Sequence, residues 1–144
     1  NSLSVGGLLS AYDTIGTLLD SLSVAAKLMP PIVVGPDNRL YAWNRTDSSV
    51  SVFESDLSPS KDLSLTLGGI VHYRLLDIDE GMRLYVAGSN GYVCVLASDG
   101  SFLARWGSGI SYDSFRDMVA HRDRAYVLAI IDDTYRILSY TAPW

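Results

Sequence analysis

Two histidines, one cysteine and a scatter of carboxylates are the groups in this chain best suited to chemistry. His72 lies in "IVHYRLLD" and His121 in the turn "AHRDR". Two imidazoles from separate loops fall short of the ligand set of a protein zinc site, so polar residues at strand ends are the simpler reading. Asp77, Asp79 and Glu80 in "DIDEG" resemble a fragment of a calcium loop but lack the further oxygen ligands at the required spacing. A solvated hairpin turn explains them more economically, and "IDDTY" (Asp132, Asp133) reads the same way. Cys94 stands alone in "YVCVLA", which rules out an intrachain disulfide and reads as a small buried residue. No nucleophile elbow, phosphate loop, paired-histidine zinc motif or dinucleotide fingerprint occurs. "WGSGIS" holds Gly-Ser-Gly in a linker position and reads as turn glycine. Asn44-Arg45-Thr46 is an acceptor triplet for N-glycosylation, which makes Asn44 a candidate modification site if the protein is exported. Acid, base and nucleophile candidates share no constellation, so the sequence leads us to expect no enzyme, no cofactor and no metal.

The bulk numbers describe what must position these groups. The chain has 144 residues, 48% of them apolar and 19% charged, which is enough for one packed core. A net charge of −5, without any block of like charge, argues against a nucleic-acid partner. The first residue is Asn1, no basic leader is visible, and the uncharged run at the start stops at Asp13. That is well short of the roughly 20 apolar residues of a membrane span, so none is expected.

Residues 1–31 follow a helical spacing. Leu8, Tyr12, Ile15, Leu19, Leu22, Ala26 and Met29 recur in steps of four and three, and Pro30 and Pro31 then stop the pattern. The spacing predicts one amphipathic α-helix whose seam (Leu8, Tyr12, Ile15, Leu19, Leu22 and Met29) serves packing or assembly. Uncharged flanking positions imply contact on more than one side, either with its own domain or with copies of itself.

From Ile32 to Trp144 the period falls to two, with turn signals at "GPDN", "NRTDSS", "DLSPSKD", "DIDEG", "GSNG", "SDGS", "HRD" and "IDD". The run also repeats. "DNRLYAW", "GMRLYVA" and "RDRAYVL" each set Arg-x-Tyr directly after a turn, with Tyr41, Tyr85 and Tyr126 spaced by 44 and then 41 residues. Periods in the forties with short strands mark β-propeller blades. The predicted fold is mainly β with one N-terminal helix, and about three four-stranded blades near 32–69, 70–109 and 110–144.

"RLYVAGSNGYVCVLASDGSFLARWG" (83–107) resembles a blade of the NHL-type β-propellers. Leu84, Tyr85, Val86, Val93, Val95, Asp99, Gly100, Phe102, Leu103, Trp106 and Gly107 fit that pattern; Gly88 departs from it. The layout of a helix before a β head also resembles type IV pilin-like filament subunits, in architecture only. Val5 stands where that family carries a glutamate, and Asp13 and Asp20 interrupt the helix.

Three blades leave sheet faces and an edge unpaired, and such surfaces drive association. The sequence therefore leads us to expect a self-assembling structural or surface protein whose partners are copies of itself, in a closed ring or a filament. "NSLSV" (1–5) is a candidate strand for a neighbour's edge. The competing expectation is a propeller-type module that binds a peptide or glycan. An extracellular or surface location accompanies both.

Overall fold

The computed structural model describes residues 7–12, 14–24, 28–44, 49–65, 73–88, 91–107 and 115–141, and among them every regular element is a strand. A hairpin of β1 (Gly7–Tyr12) and β2 (Leu18–Val24) comes first. The first blade is β3 (Leu28–Val34), β4 (Leu40–Asn44), β5 (Ser49–Phe53) and β6 (Pro59–Ser64). The second is β7 (Tyr73–Ile78), β8 (Leu84–Gly88), β9 (Tyr92–Leu96) and β10 (Phe102–Gly107). The third sheet is β11 (Phe115–His121), β12 (Arg124–Ile131) and β13 (Thr134–Thr141). Each is an antiparallel meander in chain order. The leading strands β3, β7 and β11 lie side by side, with β7 in the middle, so the sheets radiate from a common rim.

The helix predicted over residues 1–31 is corrected by this arrangement. Leu8 and Tyr12 belong to β1, Leu19 and Leu22 to β2, Met29 to β3, and Ile15 to the turn between β1 and β2. A helix through this segment would carry Gly6, Gly7 and Gly16 in its interior, each costing about 1 kcal/mol against alanine. Gly16 instead takes φ +86° in the hairpin turn, a conformation that suits glycine. Strand register pairs Leu8 with Ser23 and Leu9 with Leu22, which divides the supposed seam across a ladder. Leu8, Tyr12, Ile15 and Leu19 are exposed. The likeness to pilin-like subunits rested on that helix and loses its basis. The boundary expected between 31 and 32 falls inside β3. The candidate edge strand 1–5 lies outside the described residues.

The core consists of sheet faces pressed together. Tyr41, Trp43, Val50, Val52 and Leu63 of the first blade meet Leu76, Ile78, Leu84, Val86, Cys94 and Leu96 of the second. The second blade's other face (Tyr85, Ala87, Val93, Val95, Ala104) meets Phe115, Met118, Ala125, Val127 and Ala129 of the third sheet. Strand β8 is thus buried on both faces, which explains why "LYVAG" shows no polar alternation. A fully buried Leu or Val side chain contributes about 1.5–3 kcal/mol. Cys94 sits in this core, its thiol pushed up to about 11 by burial, and so packs as an apolar residue.

Candidate functional site

Antiparallel order places four turns at one end of the blades, and they share one design. In the turns Gly35–Arg39, Glu54–Ser58, Asp79–Arg83 and Ala97–Ser101, the first amide donates to the carbonyl of the fifth residue. The fourth residue is left-handed in every case: Asn38 (φ 61°), Leu57 (63°), Met82 (60°) and Gly100 (86°). A carboxylate then holds the fifth amide. Asp37, Asp56 and Asp99 do this from the third position, for Arg39, Ser58 and Ser101. In the second blade the third position is Gly81, and Asp79 at the first position takes over, accepting from the Gly81 and Arg83 amides at 2.9 and 3.0 Å.

Two of the three turns that precede Arg-x-Tyr, those of the first and second blades, are therefore mirror solutions. In the first blade Gly35 precedes Asp37, and Asp37 Oδ2 accepts from the Tyr41 hydroxyl at 2.9 Å. In the second, Asp79 precedes Gly81, and Asp79 Oδ2 accepts from the Tyr85 hydroxyl at 3.0 Å. The glycine is where the carboxylate is not. A Cβ on Gly35 would lie 2.7 Å from Asp37 Oδ1 and 2.8 Å from Tyr41 Cε2. Burial, then the bond to Asp37, pushes the Tyr41 phenol up to about 12; burial and Asp79 raise that of Tyr85 as well.

This exchange is testable. Gly35→Asp alone crowds two carboxylates into one space, and Asp37→Gly alone strands the Tyr41 hydroxyl. Each is expected to cost about 1–3 kcal/mol. The double variant rebuilds the second blade's arrangement and is expected within about 1 kcal/mol of the parent, by urea denaturation midpoints.

The acidic cluster "DIDEG" is a joint between blades. Asp79 is 1% exposed and binds Arg83 through Nε at 2.7 Å and Nη2 at 2.6 Å. Arg83 Nη2 and the Tyr85 hydroxyl both donate to the carbonyl of Arg122 in the third sheet. Asp77 accepts from the Ala120 amide at 2.6 Å, and Glu80 from the Arg122 amide at 2.7 Å. His121 Nδ1 stands 2.6 Å from Glu80 Oε1. Burial raises the Asp77 carboxyl above its usual value, whereas the Arg122 amide holds that of Glu80 below it. Asp77 and Glu80 thus accept from amides of the third sheet, whereas Asp79 is engaged within its own blade; among the described residues no group of three or more metal-ligating side chains occurs.

The other predicted positions scatter. His72 lies outside the described residues; its neighbour Tyr73 opens β7 at the end of the blade remote from His121. Asn44 closes β4 and is 3% exposed, with Arg45 and Thr46 of its triplet outside the described residues. Asp132 and Asp133 form the tight turn between β12 and β13, at φ 50° and 58°, the geometry of a type I′ hairpin. Gly107 ends β10 beneath the ring of Tyr92, with residues 108–111 of "WGSGIS" outside the described residues. Sequence reasoning recognised the Arg-x-Tyr repeat but missed its carboxylate partner. The available signal was an aspartate four residues before Tyr41 and six before Tyr85.

Antiparallel sheets radiating from a rim of leading strands define a β-propeller-type fold. Among solved structures the chain is similar to a streptogramin B lyase (TM-score 0.62, 10% identity, 99% of this chain and 50% of that one). It is similar to a catalytically inactive virginiamycin B lyase from Staphylococcus aureus with quinupristin (0.67, 10%, 98% and 50%). BamB from Moraxella catarrhalis also matches (0.59, 16%, 85% and 35%). The chain spans half or less of the length of these structures. No family model and no curated protein sequence matches it. The expectation that the chain is no enzyme is corrected here. Two of these structures are lyases, so the fold carries catalysis elsewhere, and the lack of a familiar motif does not exclude it. No helix among the described residues is long and apolar enough to cross a membrane.

Proposed function

We propose that this chain is a propeller-type binding module for a peptide or glycan, with NHL-like character in its second blade. The ligand would sit on the end opposite the four matched turns. One observation carries the reading: the turn end has spent its polar groups on itself. Asp37, Glu54, Asp79, Glu80 and Arg83 are all engaged in hydrogen bonds within or between blades. Connections 65–72 and 108–114 leave from the other end, and their sequences hold His72, Tyr112 and Asp113. Longer connections on a rigid sheet scaffold are where binding residues concentrate. Assembly through an N-terminal helix, the competing reading, no longer has its helix.

The test is a set of amide correlation spectra recorded while neutral tetrasaccharides and a decapeptide library are titrated in. Shifts are expected beside the long connections, at Leu65, Tyr73, Gly107 and Phe115. No response at millimolar ligand, or shifts centred on 35–39 and 79–83, would overturn the reading.

A further inference from the structure

Glu80 gives both of its oxygens to the third sheet. Oε2 accepts from the Arg122 amide at 2.7 Å, and Oε1 stands 2.6 Å from His121 Nδ1. On the same blade, Asp77 Oδ2 accepts from the Ala120 amide at 2.6 Å and Oδ1 from the Ile78 amide at 2.9 Å. Three consecutive residues of the third sheet, 120 to 122, therefore hang on two carboxylates. Charges surround this pair from both sides. The second blade brings Asp79, Arg83 and Tyr85, and the third sheet brings Asp117, His121, Arg122 and Asp123. Strand β3, which also packs on β7, carries no ionisable side chain. Arg83 and Tyr85 both donate to the Arg122 carbonyl. Arginine stays charged and burial raises the Tyr85 phenol, so these two hold the turn without sensing pH.

Asp77 and Glu80 lean in opposite directions. Asp77 is half-buried, and burial, with Asp117 and Asp79 adding to it, favours its neutral form against the pull of the two amides. A neutral carboxyl keeps a carbonyl oxygen for the Ala120 amide, so the bond between sheets survives protonation. Glu80 is exposed, and the Arg122 amide, with His121 adding to it, favours its ionised form. Charging His121 turns its contact with Glu80 into an ion pair with a charge-assisted hydrogen bond. We propose that this joint is a pH-sensitive clasp, tightened in mild acid and released in stronger acid. Asp77, raised in the folded chain, adds stability at low pH that is lost as pH rises through its folded value. Glu80, lowered in the folded chain, adds stability at high pH that is lost as pH falls through its folded value. Imidazoles gain their charge between about pH 8 and pH 5, before Glu80 is neutralised.

Native-state amide hydrogen exchange of the whole chain, corrected for the intrinsic pH dependence of exchange, is the test. Protection of Ala120 and Arg122 is read relative to Val127, which is buried in the core. The ratio is expected to rise about twofold to fivefold between about pH 7.5 and about pH 5.5, the range for an exposed ion pair. It should fall again by about pH 3.5, where carboxylates are neutralised. His121→Gln should remove the rise at Arg122, and Asp77→Asn the rise at Ala120, while Val127 protection confirms that each variant is folded. A ratio that stays level between neutral and mildly acidic solution, or falls, overturns the proposal. So does a rise that persists when His121→Gln and Asp77→Asn are combined, since other groups would then be the sensors.

Discussion

Replacing Asp79 with alanine is expected to lower the unfolding free energy by about 3–5 kcal/mol, the range for removing one partner of a buried ion pair. Asp79 is enclosed and accepts from two turn amides, the Arg83 guanidinium and the Tyr85 hydroxyl. Its loss leaves the Gly81 and Arg83 amides without this acceptor and removes the carboxylate that the Arg83 guanidinium, 22% exposed, grips. Arg83 and Tyr85 also reach the Arg122 carbonyl, so the damage extends to the joint with the third sheet. Asp79→Asn keeps one carbonyl acceptor and should fall between the two. Because the groups act as a unit, Asp79→Ala with Arg83→Ala should cost less than the two separate losses combined. Equilibrium urea denaturation decides it: a loss below about 1 kcal/mol for Asp79→Ala would show that the network is ornamental.

The second large effect is expected at Gly100. This residue has φ +86°, and a Cβ there would lie 2.7 Å from the Ser64 carbonyl oxygen of the neighbouring blade. Gly100→Ala therefore combines a left-handed conformation, worth roughly 1–2 kcal/mol, with a main-chain clash that separates two blades. A total of about 2–4 kcal/mol is expected. Gly100→Asn distinguishes the two causes, since asparagine tolerates the left-handed region but carries the same Cβ. Both variants should unfold at lower urea concentration. Recovery of full stability in Gly100→Asn would mean that backbone angle alone sets the requirement.

Much of the β architecture was legible because turns have local chemistry. "GPDN", "SDLS", "DIDEG" and "SDGS" each carry the carboxylate that holds their own turn, so their positions follow from a few neighbouring residues. The first thirty residues were not legible by the same means. Leucines mixed with serines satisfy a four-three spacing by accident, and the discriminating residue was Gly16, whose left-handed angle closes a hairpin. The joint between blades was hidden for a different reason. Asp77 meets Ala120, 43 residues away, and Glu80 meets Arg122, 42 away, so no local window contains both halves. A cluster of carboxylates reads as solvated until its distant donors are known. Burial of β8 on both faces was visible only as an unbroken apolar run, which by itself does not separate a buried strand from other buried segments.

The central claim is that the second and third sheets are blades joined by Asp77 and Glu80 of "DIDEG". Native-state hydrogen exchange at the Ala120 amide addresses it most directly, because that amide is given to Asp77 of the preceding blade at 2.6 Å. We predict slow exchange in the parent chain, lost in Asp77→Ala while the core amide of Val127 stays protected. Exchange at Ala120 as fast as in an open chain, with Val127 still protected, would mean that the third sheet does not dock on the second, contradicting the account.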